Sequence, residues 1–227
     1  MRQSETPVKV WDAPVRLFHW LLVLLIAFQY LSAKMKGDWM TWHVYSGYTI
    51  LALVFFRILW GFAGSSTARF STFLAGPGAA IGFIKKLLTR APAPYASHNP
   101  LGGWMVVLLL VVLLVQAGTG LFANDDIATE GPLAGLIAKE LSDRLTAIHY
   151  WNFNLLLLLA GVHIAAVLYH WGIMKENLIG AMFTGVKHLP ADAAAGGAGA
   201  RFASPWLALV LLAVAALAVY LIVKRPF

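Results

Sequence analysis

Long apolar runs separated by short polar stretches set the pattern of this chain, and their lengths predict helices that cross a membrane. The runs are Leu17–Ala33, about Trp42–Phe62, Gly103–Ala123, a fourth that follows Ala147 and ends near Met174, and Trp206–Val223. Crossing the hydrocarbon core takes about 20 apolar residues as a helix, so each run qualifies or nearly does. Asp12-Ala-Pro is a helix start, because proline is tolerated in the first turn. Lys34–Thr41 is too short for anything but a turn between antiparallel neighbours. Within the long connection Ala63–Gly102, AAIGFIKKLLTR is too short to span and mixes basic with apolar positions, as an interfacial helix does. Asn124–Ala147 is an acidic connection, and Lys175–Pro205 is a tail containing the flexible stretch PADAAAGGAGA. The expected domains are therefore a four-helix core over 1–188, a linker over 189–205 and a C-terminal transmembrane helix over 206–227.

Composition agrees. The 227 residues are 60% hydrophobic and 12% charged, with a mean hydropathy of +0.74. A soluble domain exposes far more charge. The net charge of +7 comes from basic residues in loops beside apolar runs, which reads as membrane orientation and lipid contact with no nucleic-acid binding. Lys and Arg number 3, 4 and 3 in the N-terminal lead, second loop and fourth loop, against 2, 2 and 2 in the first loop, third loop and C-terminal tail. The positive-inside rule then puts the N-terminus in the cytoplasm. A cleavable signal peptide is disfavoured, because the first apolar run starts late and carries His19 and Trp20 near its beginning. With no cysteine, the chain has no disulfide, no thiolate metal site and no covalently attached c-type haem.

The candidate chemistry lies in the histidines. In the fourth run His149, His163 and His170 are 14 and 7 residues apart. At 3.6 residues per turn these steps fall about 40° and about 20° short of whole turns, so one helix face carries all three imidazoles. His149 and His163 are about 21 Å apart along it. Ionisable groups at such depth are costly and usually face a functional interior. By depth, His43 matches His149 on the outer side, and His19 matches His163 on the inner side. Two inward-facing pairs at two levels are what bis-imidazole haem requires in a helical bundle, and without cysteine the haem is non-covalent and b-type. A lone apolar-face histidine is more often satisfied by a local hydrogen bond, and a proton relay in a transporter is the rival reading of all four. Spacing alone also leaves His170 open as the partner of His19.

VWDAPVRLFHW, WHVYSGYTILALVFFRILWGF, HNPLGGWMVVLLLVVLLVQAGTGLF and the His149–His163 helix ending YHWGIMKENLIGAM resemble the bacterial cytochrome b561 family, which includes the cytochrome b subunits of nickel–iron hydrogenases. The likeness covers about residues 8–188. It implies an all-α integral membrane fold: an antiparallel four-helix transmembrane bundle binding two b haems, with the fifth C-terminal helix outside that core. It also implies electron transfer at the bacterial cytoplasmic membrane, with His19 and His163 on one haem and His43 and His149 on the other. The expected partners are membrane lipid, the quinone pool and a periplasmic c-type cytochrome or hydrogenase-like redox complex. A self-contained quinone-linked oxidoreductase acting on a small species such as superoxide is the alternative.

Other positions carry weaker signals. Arg57, 14 residues after His43, faces the same way and suits either a haem propionate or snorkelling to lipid headgroups. Gly47 leaves room for a porphyrin face or for a neighbouring helix. Gln116, Gly118 and Gly120 allow close approach of a helix or flat ligand. His98 is expected in a surface loop with a quinone contact as its functional reading, His188 in solvent, and Trp11, Trp39, Trp42, Trp104 and Trp206 at the membrane interface.

Overall fold

A computed structural model describes residues 5–35, 37–88, 95, 97–127, 129–190 and 200–224. In chain order the elements are β1 (Glu5–Lys9), α1 (Ala13–Ser32), α2 (Trp39–Ala63), α3 (Phe70–Phe73), α4 (Pro77–Leu88), α5 (Pro100–Gly120), α6 (Lys139–Gly172), α7 (Leu178–Thr184), β2 (Val186–Pro190) and α8 (Pro205–Val223). Among the described residues α1, α2, α5, α6 and α8 are long and apolar enough to cross a membrane. Arg2, Lys36, Arg90, Arg225 and most of the expected flexible linker (residues 191–199) lie outside the described residues.

Contacts divide the chain into two units, and the division falls within the long helices. The first takes Met1–Leu17, Leu59–Leu108 and Gly161–Ala208. Its distinctive feature is an antiparallel ribbon, β1 with β2, in register from Glu5 opposite Pro190 to Lys9 opposite Val186. The expected all-α architecture is corrected to this extent. The pairing joins segments some 180 residues apart, so no local pattern announces it. Gly185 links ribbon and helix: at φ +85° it ends α7, and its carbonyl accepts from Val10 N (2.8 Å) and Trp11 N (3.1 Å). A Cβ there would lie 2.6 Å from the Trp11 carbonyl oxygen, so both conformation and space call for glycine. Asp12 starts α1 as expected, its Oδ1 accepting from Val15 N at 2.8 Å. Its Oδ2 accepts from the indole of the fully buried Trp60 at 3.0 Å, which ties the start of α1 to the end of α2.

In the same unit α4 buries Phe83 and leaves Ile81, Ile84, Lys85 and Lys86 exposed, the arrangement expected of an interfacial helix. Residues before α8 are anchored: Ser66 Oγ accepts from Arg201 N (2.9 Å) and Ser65 Oγ from Ala203 N (3.0 Å).

The second unit takes Phe18–Ile58, Leu109–Ala160 and Leu209–Phe227. Its apolar core joins Leu51 of α2, Leu121 and Leu133 of the connection after α5, and Val219 of α8, with Tyr48, Phe55, Leu114 and Phe122 packed around them. The fifth span is therefore a packed element of this unit. The acidic connection folds back on α6, with Ser142 Oγ donating to Phe122 O (2.6 Å) and Asn124 N donating to Thr146 Oγ1 (3.0 Å). α6 begins at Lys139, earlier than the hydrophobic pattern indicates. Its first turns are polar, held by Lys139–Asp143 at i,i+4 (2.8 Å), and polarity alone does not end a helix. Only 6% of the most apolar window of α6 and 11% of that of α1 is buried, against 44% for α2. In a membrane that apolar surface faces lipid.

Candidate functional site

His43 and His149 lie in the second unit, and their rings face each other with centroids 6.4 Å apart and planes at 71°. Each imidazole is fixed through Nδ1. His43 Nδ1 lies 3.2 Å from the Gln29 carbonyl oxygen and 3.3 Å from Ser32 Oγ. His149 Nδ1 lies 2.8 Å from the Gln116 carbonyl oxygen and 3.3 Å from Thr119 Oγ1. A carbonyl can only accept, so Nδ1 carries the proton and Nε2 keeps its lone pair, the form that binds a metal.

The helices supply these carbonyls by close approach. Gln29 of α1 donates through Nε2 to His43 O (2.9 Å) and Ser46 Oγ (3.1 Å), and a Cβ on Gly47 would sit 3.3 Å from that same nitrogen. Gly47 thus admits the Gln29 amide. Gly120 does the same for the imidazole: a Cβ there would lie 2.9 Å from His149 Cε1. Gln116 is held in turn by Asn152, whose Nδ2 donates to Gln116 Oε1 (2.7 Å) and Val112 O (3.0 Å).

Does this pair fit a haem iron? Two metal–imidazole bonds of about 2 Å each, plus the two ring radii, separate ring centres by about 6 Å. The observed spacing fits. The donor set fits as well, because a porphyrin brings its own four nitrogens and asks the protein for axial ligands only. Among the described residues no three or more His, Asp or Glu side chains converge as a metal site of another kind would need. The Gln116 amide nitrogen lies 3.1 Å from His149 Nε2, the atom that would hold the iron.

His19 belongs to the second unit, where it meets Trp20 edge-on at 4.9 Å, and His163 belongs to the first, half-buried on α6. Arg57 is 3% exposed and so lies inside the protein, away from a snorkelling position. His98 is no bare loop residue: it packs between Trp11 (4.6 Å between centroids) and Phe73 (4.5 Å). His188 is exposed on β2, as expected.

His170 differs from the others. It is buried, and its Nδ1 contacts Glu176 Oε2 at 2.7 Å; Glu176 Oε1 contacts Lys187 Nζ at 2.5 Å. Burial pushes the Glu176 carboxyl up, but its bonds to His170 and Lys187 outweigh this and hold it below the usual carboxylate range.

Sequence reasoning missed Gln29, Ser32 and Thr119 as partners of the imidazoles, and Asn152 as the residue that holds Gln116. Their signal was visible: polar side chains inside apolar runs need partners. It did not say which partners.

The helices of membrane length belong to a multi-pass membrane protein, and His43 and His149 stand at a spacing that two ligands of one metal would have. The family model described as prokaryotic cytochrome b561 matches residues 10–185, and the chain belongs to that family. It is accordingly a membrane b-type cytochrome of electron transfer, with haem b as its cofactor, lipid as its surroundings and redox proteins or small redox molecules as its partners. No match is found among curated proteins or among solved structures.

Proposed function

We propose that this protein relays single electrons across the bacterial cytoplasmic membrane through two b haems, between the quinone pool and a periplasmic or peripheral redox partner. The observation that carries the reading is the His43–His149 pair, with rings 6.4 Å apart and each Nδ1 directed at a main-chain carbonyl. These two residues would hold one haem. His19 and His163 are the proposed ligands of the second, as the family resemblance implies. Bound haem supplies the electron chemistry, alternating between ferric and ferrous iron.

The chain's own residues do the rest. The Gln29 and Gln116 carbonyls fix the tautomer and orientation of the two imidazoles, and accepting their Nδ1 protons makes each Nε2 a stronger donor. Gly47 and Gly120 allow the neighbouring side chains to come close. Buried Arg57 is the proposed partner of a haem propionate, since a buried guanidinium requires anionic or carbonyl acceptors. The apolar faces of α1 and α6 keep water from the centre.

The partner is a periplasmic c-type cytochrome or a hydrogenase-like complex in this reading, with the N-terminus in the cytoplasm. Purified protein should show a b-type α-band that a quinol reduces. It should sustain no turnover until an oxidising partner protein is added. Rapid quinol-linked turnover of the isolated chain with superoxide or another small species would instead make it a self-contained oxidoreductase.

A further inference from the structure

His170, Glu176 and Lys187 form a continuous chain in the first unit that electron transfer alone does not require. His170 Nδ1 lies 2.7 Å from Glu176 Oε2, Glu176 Oε1 lies 2.5 Å from Lys187 Nζ, and Lys187 Nζ donates to the Tyr95 carbonyl oxygen at 2.7 Å. The side chains of His170, Glu176 and Lys187 are 10%, 23% and 4% exposed. Three elements meet here: the end of α6, the segment after it and strand β2. The β1–β2 ribbon places Lys187 through its pairing with Val8. Among the described residues, the titratable and charged groups facing His170 are Glu176, Lys187 beyond it, and the Tyr169 ring, edge-on at 6.2 Å.

Charge counting gives this arrangement a use. Glu176, held below the usual carboxylate range, is an anion, and Lys187 is its cation, so with neutral His170 the chain sums to zero. His170 Nδ1 donates to Glu176, which leaves Nε2 with a lone pair. A proton at Nε2 brings the chain to +1, and the Glu176 carboxylate stabilises the resulting imidazolium. His163, two turns back on α6, is about 10 Å away along the helix.

We infer that the His170–Glu176–Lys187 chain is a redox-linked proton site, taking a proton from water at His170 Nε2 when an electron reduces the haem held by His163. The inference rests on the haem reading above. The balance is simple: ferric iron gains one electron from the donor, the imidazole gains one proton, and net charge is conserved. At an effective dielectric near 20, one charge about 10 Å away changes a proton affinity roughly tenfold. Reduction therefore tightens proton binding, and the midpoint potential falls as pH rises.

The test is an optical redox titration of the purified protein at a series of pH values from acid to alkaline. One haem should fall by about 60 mV in total between the two limits, the equivalent of a tenfold affinity change for a one-electron couple. His170→Gln should keep both haems and lose most of that fall. Glu176→Gln, which leaves the imidazole but removes its anion, should move the fall to lower pH. His188→Gln, on the exposed face of the same strand, should match the wild type. An unchanged pH dependence in His170→Gln overturns the inference and leaves the haem reading intact. Loss of a haem in His170→Gln makes the residue a ligand and also overturns it. A preparation with no α-band overturns both.

Discussion

Two histidines of one helix, His149 and His170, live in environments of different kinds. His149 is held by neutral groups: a main-chain carbonyl at 2.8 Å, a threonine hydroxyl at 3.3 Å and a glutamine amide at 3.1 Å. His170 is held by a carboxylate at 2.7 Å that also binds a buried lysine. A carbonyl takes the Nδ1 proton of a ring and leaves the other nitrogen to a metal, whereas a carboxylate linked to a lysine makes the ring one member of a charged chain. A shared face on a shared helix therefore does not fix a histidine's role. The groups that reach it from other elements do.

The sharpest way to break this contrast is to remove each histidine near the inner end of α6. His163→Ala should lower the haem count by one per chain, and His170→Ala should leave the count unchanged. The reverse outcome would make His170 the ligand despite its ion-paired surroundings. A smaller effect should follow from Asp12→Ala in the first unit, where one carboxylate serves both as helix cap and as partner of the buried Trp60 indole. Losing both roles should cost about 2–3 kcal/mol, read as a lower melting temperature in detergent, while the haem count is kept. In the second unit Gly120→Ala should act the other way round. Its new Cβ crowds His149 Cε1, so overpacking of about 1–3 kcal/mol should tilt the imidazole. The readout is a changed spectrum and potential of one haem, with little change in haem content.

Much of this was legible in the chain. Among the described residues the five apolar runs lie in five helices of membrane length, most ends shifted by a few residues and α6 beginning well inside the acidic connection, because hydrophobic length marks a span but not where its helix starts. The interfacial character of α4 and the capping role of Asp12 followed from local pattern in the same way. The imidazole pair His43–His149 could be anticipated from depth along apolar helices. The β1–β2 ribbon could not, because its partners are brought together by everything folded between them. Nor could the polar partners of each histidine be assigned. Gln29 and Asn152 are polar residues in apolar runs, but which carbonyl or amide each meets depends on helix rotation, which hydropathy does not encode. The fifth span was left without a role by sequence, and Val219 and Ala215 give it one by packing into the second unit.

The account depends most on His43 and His149 gripping one iron between them. Haem per chain, measured by pyridine haemochrome on the wild type, His43→Ala and His149→Ala proteins, tests this directly. Two haems in the wild type and one in each variant is the predicted result. A wild type without haem, or variants that keep the full complement, would contradict it.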